Sequence, residues 1–471
     1  MKKVLIVLFF LLSIIICIAS AIYIYIRVSE TEDTPIEDST TEIASVKIDI
    51  ELDSEKISTH LSKANSEIEN AYWSRMWLYW NEIEEEQGKY DWRYLDERVE
   101  MSTEDEIYLL ITIMPFANWD QDTCHDASFE TEFDPKKGGQ LKVGKPCDME
   151  AYKQFLVNLV ERYDGDGTDD MLGLRYPIKY WEIMNEPTMQ GGSTGGMGED
   201  LKFFVGTPEE YVEILKASYE TIKKTDPQAM VVQGGMAGMN KDFVKYWTDV
   251  FEAGGGKYFD IANNHTISTD ERREDLYMLK FVDFLEQYDL QDKPIWITEV
   301  QFGELDKPPK DLEVFEKLLV KGTVFSLALG ADKLFYVENW YHWDDDDSEK
   351  KIIEEEKDEP KKKKTEDFSN SSTHQVYLNL IDKLNYFDTV EIIDQEYTEY
   401  EEDWEGASCE IGQYKFSYQG NDIYVLWGNT PLPKEIQGMV VVTDIYGEEE
   451  IIEAKDIVLS DIPVFVEMEI E

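Results

Sequence analysis

Two patterns alternate between residues 46 and 384. Short apolar runs at 46–51, 71–78, 107–114, 178–184, 230–234, 259–264, 294–298 and 333–337 read as strands. Amphipathic stretches at 91–103, 149–163, 208–224, 241–253, 272–288, 312–329 and 373–384 read as helices. Several open on helix-start signals, Thr207-Pro208-Glu209-Glu210 among them. Strands alternating with helices predict a parallel sheet built from βα units. Eight such units predict an α/β chain folded as a (β/α)8 TIM barrel over residues 46–387. In that architecture chemistry sits at the C-terminal ends of the strands.

The pattern changes at residue 388. From there to 471, short alternating runs such as "YKFSY", "DIYVLWG", "MVVVTDIYG" and "IPVFVEMEI" predict a small C-terminal antiparallel β-sandwich. One block interrupts the last barrel unit: 344–367, "DDDDSEKKIIEEEKDEPKKKKTED", a charged, low-complexity loop insertion. Its four aspartates lack the turn glycine and ligand spacing of a calcium loop.

Residues 1–28 hold Lys2 and Lys3 followed by an apolar run from Val4 to Ile26. A bilayer span takes roughly 20 residues, so this run reads as a membrane anchor with its basic end inside. Ala19-Ser20-Ala21 offers the alternative of a signal peptide cleaved after Ala21. Either way the expected location is outside the cytoplasm, anchored or secreted. Residues 29–45 are acidic and poor in apolar side chains, as in a disordered stalk. The formal charge of −55 excludes a nucleic-acid partner and electrostatic docking on anionic lipid. Membrane contact is therefore expected through the N-terminal segment only. Cys17 lies in the apolar run. Cys124 and Cys147 flank one insertion and are candidates for a disulfide, which leaves Cys409 as a buried thiol. No Cys/His spacing suggests zinc, and neither metal nor cofactor is expected.

Two segments carry reactive groups. "YWEIMNEP", 180–187, starts as the fourth strand and ends as a loop, with Glu186 at the strand mouth. "KPIWITEVQFG", 293–303, does the same for the seventh strand, with Glu299 at its mouth. Two carboxyl groups facing each other across a barrel top are what glycoside hydrolysis requires. One protonates the departing oxygen, and the other attacks the anomeric carbon or activates water. Glu182, inside the strand, reads instead as a carboxylate buried against a cation. The Gly-rich run 189–200 has no Lys-Ser/Thr after it, so it reads as a rim loop and not as a phosphate loop.

"WEIMNEP" and "WITEVQFG" resemble the acid/base and nucleophile motifs of glycoside hydrolase clan A, whose members are retaining enzymes on (β/α)8 barrels. "WLYWNEIEEEQGKYDWRYLDERV" and "ITIMPFANWD" are similar to the second- and third-strand regions of several of its families. The resemblance spans roughly residues 70 to 385 and is closest in look to families 39, 42 and 5. It implies a β-linked oligo- or polysaccharide substrate, Glu186 as general acid/base and Glu299 as nucleophile. It implies Asn185 at the sugar 2-hydroxyl, and His265, Trp340, Arg75 and Trp119 as further substrate-site residues. Each of these has a plainer role as well: a turn cap for Asn185, a core histidine for His265, an interior ion pair for Arg75, packing for Trp340 and Trp119. "HTIS" lacks the tyrosine that clan members often carry after this histidine, and the first strand lacks their glycines. Two alternatives stay open: a non-catalytic carbohydrate-binding scaffold that keeps the barrel, and a transglycosylase using the same residues.

Overall fold

The structure, a computed structural model, describes residues 53–63, 71–131, 141–191, 201–268, 274–302, 312–337, 372–399 and 406–468. The expected anchor, stalk and charged insertion lie outside these residues, as do Trp340 and all but the first three residues of the Gly-rich run. No helix among the described residues is long and apolar enough to cross a membrane.

Eight parallel strands are present among the described residues: β1 Leu61–Lys63, β2 Trp73–Tyr79, β3 Tyr108–Met114, β4 Tyr180–Ile183, β5 Met230–Gln233, β6 Ala262–Ser268, β7 Ile295–Phe302 and β8 Ala331–Tyr336. They form two four-stranded parallel sheets, ordered β2-β3-β4-β5 and β1-β8-β7-β6. Parallel bridges Val232↔Ile261 and Met236↔Asn264 join the sheets between β5 and β6. Among the described residues the helices longer than four residues are α1 Arg93–Glu104, α2 Met149–Tyr163, α3 Pro208–Thr225, α4 Lys241–Glu252, α5 Met278–Glu286, α6 Leu312–Ala328 and α7 Ser372–Leu384.

Local chemistry explains these elements. All seven residues of β3, "YLLITIM", are buried, as expected for a parallel strand covered on both faces. In α2 the Asp148 side chain caps the backbone N–H groups of Glu150 and Ala151, and Tyr152, Phe155, Leu156, Leu159, Val160 and Tyr163 form one buried stripe. Thr207 and Glu210 form a reciprocal capping box at α3, with Pro208 in its first turn.

Three expectations need correction. The first strand was expected at 46–51, outside the described residues; the strand beside β8 is Leu61–Lys63, in register Leu61↔Leu334. Its three residues are too few to show periodicity. The helix expected from 272 starts at Met278, because Leu276 and Tyr277 take left-handed backbone (φ 49° and 63°). They are held there by Asp275, which accepts from the Tyr277 N–H at 3.2 Å and from the Ala407 N–H at 2.9 Å.

The third correction concerns the C-terminal region. Its described strands, β9 Thr389–Glu399, β10 Ala407–Tyr418, β11 Asn421–Trp427, β12 Met439–Thr443, β13 Glu449–Glu453 and β14 Val464–Met468, form one antiparallel sheet ordered β9-β10-β11-β14-β12-β13. No second sheet faces it among the described residues. One face, with Tyr414, Phe416, Trp427 and Phe465, shares a core with α6 and α7. The other, with Tyr424, Leu426, Val440 and Val466, is covered by loop residues Leu432, Ile436, Ile457 and Leu459. Consequently α6 is buried on all sides from Phe315 to Leu327. Its two interior lysines are paired, Lys317 with Asp461 and Lys321 with Asp461 and Glu274. A buried charge needs such partners.

Inside the parallel strands the side chains lie in layers. At the N-terminal end Trp73, Tyr108, Leu110, Val232, Ile261, Trp296 and Phe335 form an apolar plug. Trp73 and Trp296 meet edge to face at 5.4 Å, and the Lys333 ammonium lies 4.5 Å from the Trp73 ring centre. Lys333 donates to the Ile57 and Thr59 carbonyls, which ties the segment before β1 across this end. Burial pushes Lys333 down to about 8. Above the plug the interior turns polar.

Candidate active site

The polar layer is built on Glu182, which is fully buried in β4. Oε2 accepts from Arg75 Nε of β2 at 2.7 Å and from the Thr112 hydroxyl of β3. Oε1 accepts from Asn263 Nδ2 of β6 at 2.7 Å and from Thr298 Oγ1 of β7 at 2.9 Å. Burial alone pushes Glu182 up, but the Arg75 charge and the hydrogen bonds of His265 and Arg75 outweigh it and bring the group to about 2. Glu182 is thus a fixed negative charge held against a cation.

Arg75 spreads its guanidinium over three residues. Nε bonds Glu182, Nη2 donates to Asn185 Oδ1 at 2.7 Å, and Nη1 donates to Glu299 Oε2 at 3.3 Å. Burial opposes its charge, but Glu182 and Glu299 raise its pKa. The planar fork of arginine suits such multiple contacts, where a lysine would serve fewer.

Past the end of β4 the backbone leaves the strand through two left-handed residues, Met184 (φ 72°) and Glu186 (φ 38°). Non-glycine residues adopt this conformation when their surroundings hold them there. Here the Met184 N–H donates to the Ile113 carbonyl at 3.0 Å, and Asn185 is bound by Arg75. The Glu186 carboxyl is turned inward, where Oε1 lies 2.9 Å from His265 Nδ1.

His265 stands beside Glu299 in the β6–β7 register. A register shift between the pairs Asn263↔Trp296 and His265↔Glu299 lets consecutive Thr298 and Glu299 both reach the interior. His265 Nε2 lies 2.8 Å from Thr298 Oγ1 and 3.7 Å from Glu182 Oε1, while Nδ1 lies 3.7 Å from Glu299 Oε2. Burial lowers His265, but Glu182 and Glu186 raise it to about 9. Gly235 makes room for it: a Cβ there would lie 2.1 Å from Nε2. Glu299 keeps about a fifth of its side chain exposed. Burial, partly offset by the His265 charge, still raises it.

Of the residues read from sequence, Arg75, Asn185, Glu186, His265 and Glu299 come together. Trp119 is not in that group. It lies in a four-residue helix, Asn118–Gln121, after β3, where its indole donates to the Glu84 carbonyl at 2.9 Å and its ring packs edge to face on Trp80. Trp340 is outside the described residues. Thr112, Asn263, Thr298 and Gly235 were not read from sequence. A period-2 signal was available for one of them, since Asn263 and His265 share a strand face. Trp77 stands two residues after Arg75. It is half-buried, with the guanidinium carbon 5.8 Å from its ring centre and Phe203 edge-on at 5.4 Å. Cys124 and Cys147 form the expected disulfide, Cα–Cα 5.9 Å, and Cys409 is a free buried thiol.

One ligand atom each of Glu186, His265 and Glu299 lies within 4.8 Å of the others, so a divalent cation would find donors here. The Arg75 and His265 charges already meet these carboxylates, however. What the group offers directly is two carboxyl groups at close range above one anionic and two cationic side chains.

Neither a family model nor a curated protein sequence matches the chain. Solved structures do. A family 39 glycoside hydrolase from Bacteroides cellulosilyticus WH2 aligns with a TM-score of 0.54 at 15% identity, over 88% of this chain and 82% of that one. A glucosidase from Croceicoccus marinus gives 0.52 at 12%, over 85% and 90%. The chain has the clan A glycosidase fold. An α-L-arabinofuranosidase from Thermotoga maritima, at 0.51 and 11% identity over 85% and 88%, shares it too. At these identities the clan A likeness is one of fold. Within that fold, the chain sets Glu186 three residues past the end of β4 and Glu299 inside β7, opposite His265. The expectation that Glu299 ends its strand is corrected, since β7 runs on to Phe302.

Proposed function

We propose that the protein is a retaining β-glycosidase, with its eight parallel strands closed as a (β/α)8 barrel and Glu186 and Glu299 as its reacting groups. The observation that carries this reading is the close approach of the two carboxyl groups, one oxygen of each within 4.8 Å. Retaining enzymes hold their carboxyl groups about 5–5.5 Å apart, whereas inverting enzymes need about 6.5–9.5 Å to admit a water. The fold shared with glycosidases supports the broader class of glycoside hydrolase.

In this mechanism Glu186 protonates the glycosidic oxygen while Glu299 attacks the anomeric carbon and forms a glycosyl ester. Glu186 then takes a proton from the water that breaks the ester. Glu299 must be ionised to attack, and Arg75 Nη1 supports that form. Asn185 gives its Oδ1 to Arg75, which leaves the amide Nδ2 for the sugar 2-hydroxyl, a contact that strengthens in the transition state. Trp77, beside the Arg75 guanidinium, offers an apolar wall, the usual partner of a sugar's C–H face. The substrate is a β-linked oligo- or polysaccharide. The apolar run from Val4 to Ile26 supports a location outside the cytoplasm, anchored or released.

The test is a panel of aryl β-glycosides and β-linked oligosaccharides incubated with the full chain and with its Glu299→Ala variant, the released anomer being followed by proton NMR. Release of the β-anomer first by the wild type, and loss of release in the variant, is the expected result. Release of the α-anomer first sinks the double displacement. A folded wild type that binds glycans and cleaves none favours the scaffold alternative.

A further inference from the structure

Hydrogen-bond accounting in the polar layer assigns protons that no single distance does. Glu182 is ionised, so both its oxygens only accept. Thr298 Oγ1 lies 2.9 Å from Glu182 Oε1, and its single hydrogen is therefore directed there. One Oγ1 lone pair receives Asn263 Nδ2 at 2.7 Å. The Asn263 amide orientation is set independently, because its Oδ1 accepts the Thr298 N–H at 3.1 Å. His265 Nε2, at 2.8 Å, meets the remaining lone pair and must carry hydrogen. Nδ1 then faces Glu186 Oε1 at 2.9 Å with room for one hydrogen between them.

We infer that Glu182 and Thr298 are positioning residues that lock His265 as the Nε2–H form, so that Glu186 and His265 Nδ1 hold one proton in common. This deepens the glycosidase reading and rests on it for the use of that proton. The pair has two forms of equal charge: a Glu186 carboxyl donating to a neutral imidazole, or a Glu186 carboxylate accepting from an imidazolium. When the bond between the anomeric carbon and the leaving oxygen breaks, the shared proton passes to that oxygen and a bond forms to Glu299. A carboxylate and a neutral Nε2–H imidazole remain. When water attacks and the ester bond to Glu299 breaks, a proton of that water refills the pair. His265 thereby spreads the charge of the acid/base group over two residues.

The charged groups facing His265 are Glu182 and Glu186 from β4 and its loop, Glu299 from β7 and, across Glu182, Arg75 from β2. Its neighbour just past the end of β5 is Gly235. Three carboxylates against one guanidinium retain the proton, which agrees with the raised pKa of His265. Taking away the Glu182 charge weakens that hold, so the pair loses its proton at lower pH.

The experiment uses the full chain with 15N-labelled histidine, the His265 signals being assigned with His265→Gln. Three variants are compared: Glu182→Gln, Thr298→Val and Thr298→Ser. In Glu182→Gln the His265 titration and the alkaline limb of kcat/KM are both expected to fall, by about one pH unit or more. In Thr298→Val the neutral ring loses its Nε2–H acceptor, and a population of the Nδ1–H tautomer is expected in the two-bond 1H–15N pattern. Thr298→Ser restores the wild-type pattern. An unmoved His265 titration in Glu182→Gln overturns the inference, as does an unchanged tautomer in Thr298→Val. If both NMR changes occur in a protein that cleaves no glycoside, the proton assignment stands and the glycosidase reading falls.

Discussion

Replacing Arg75 with methionine tests the polar layer at its most charged point. The substitution keeps the stem and removes the guanidinium from Glu182, Glu299 and Asn185. Glu182 stands at about 2 against an ordinary value of 4.5. At about 1.36 kcal/mol per pH unit, that difference is worth about 3 kcal/mol of folding stability. Other partners share in it, and the uncompensated carboxylate adds a penalty, so about 3–5 kcal/mol is the expected loss at pH 7. The sign with pH follows. In the wild type a depressed carboxylate contributes fully above about 4.5, and this contribution is lost as pH falls toward 2. In the variant burial wins and the Glu182 pKa rises above 4.5. Stability then falls as pH climbs from 4.5 through that raised value, so the gap between the two proteins widens between pH 4 and pH 7. Urea unfolding followed by tryptophan fluorescence at pH 4, 5.5 and 7 measures it. A gap below about 1 kcal/mol at pH 7, or one that does not widen, refutes the reasoning.

Three further outcomes are expected. Gly235→Ala places a methyl group 2.1 Å from His265 Nε2, so kcat should drop at least tenfold, with a melting point that falls by only a few degrees. A drop in stability without a drop in kcat would separate His265 from the chemistry. Replacing Cys124 and Cys147 together by serine opens a loop of 23 residues and should cost about 3 kcal/mol in urea unfolding, which dithiothreitol should reproduce in the wild type. Lys321→Met leaves buried Glu274 without its cation, and about 3 kcal/mol of destabilisation is expected by thermal unfolding. A neutral result would mean that Glu274 takes up a proton at little cost.

The sequence was most informative where function is written in contiguous residues. Glu186 follows an apolar strand, so its place past the strand end follows from the pattern itself, whereas Glu299 lies inside a strand that continues to Phe302, beyond the apolar run that suggested an end. The role of Glu182 followed from a charge placed mid-strand, which demands a cation. The donors to Glu182 were hidden because Thr112, Asn263 and Thr298 come from three other strands, and Thr298 reaches it only through the β6–β7 register shift. The second sheet of the expected sandwich failed for a related reason. Alternation shows that one face of a strand is covered but not by what, and here α6 and α7 cover it. The late start of α5 was equally hidden, since Asp275 answers to Ala407, more than a hundred residues away.

The aromatic plug beneath the polar layer makes the interior a blind well. Trp73, Trp296 and Phe335 are almost completely buried, and Lys333 binds the segment that crosses the N-terminal end. Among the described residues, exchange of solvent and protons with the buried carboxylate layer is therefore directed to the end where Glu186 and Glu299 stand. On the proposed glycosidase reading, a sugar occupying that mouth acts as a stopper. Deuterium exchange at the Arg75, Asn263 and Thr298 hydrogens should slow sharply when a tight inhibitor is bound, and the departing product must clear the opening before the next substrate can enter.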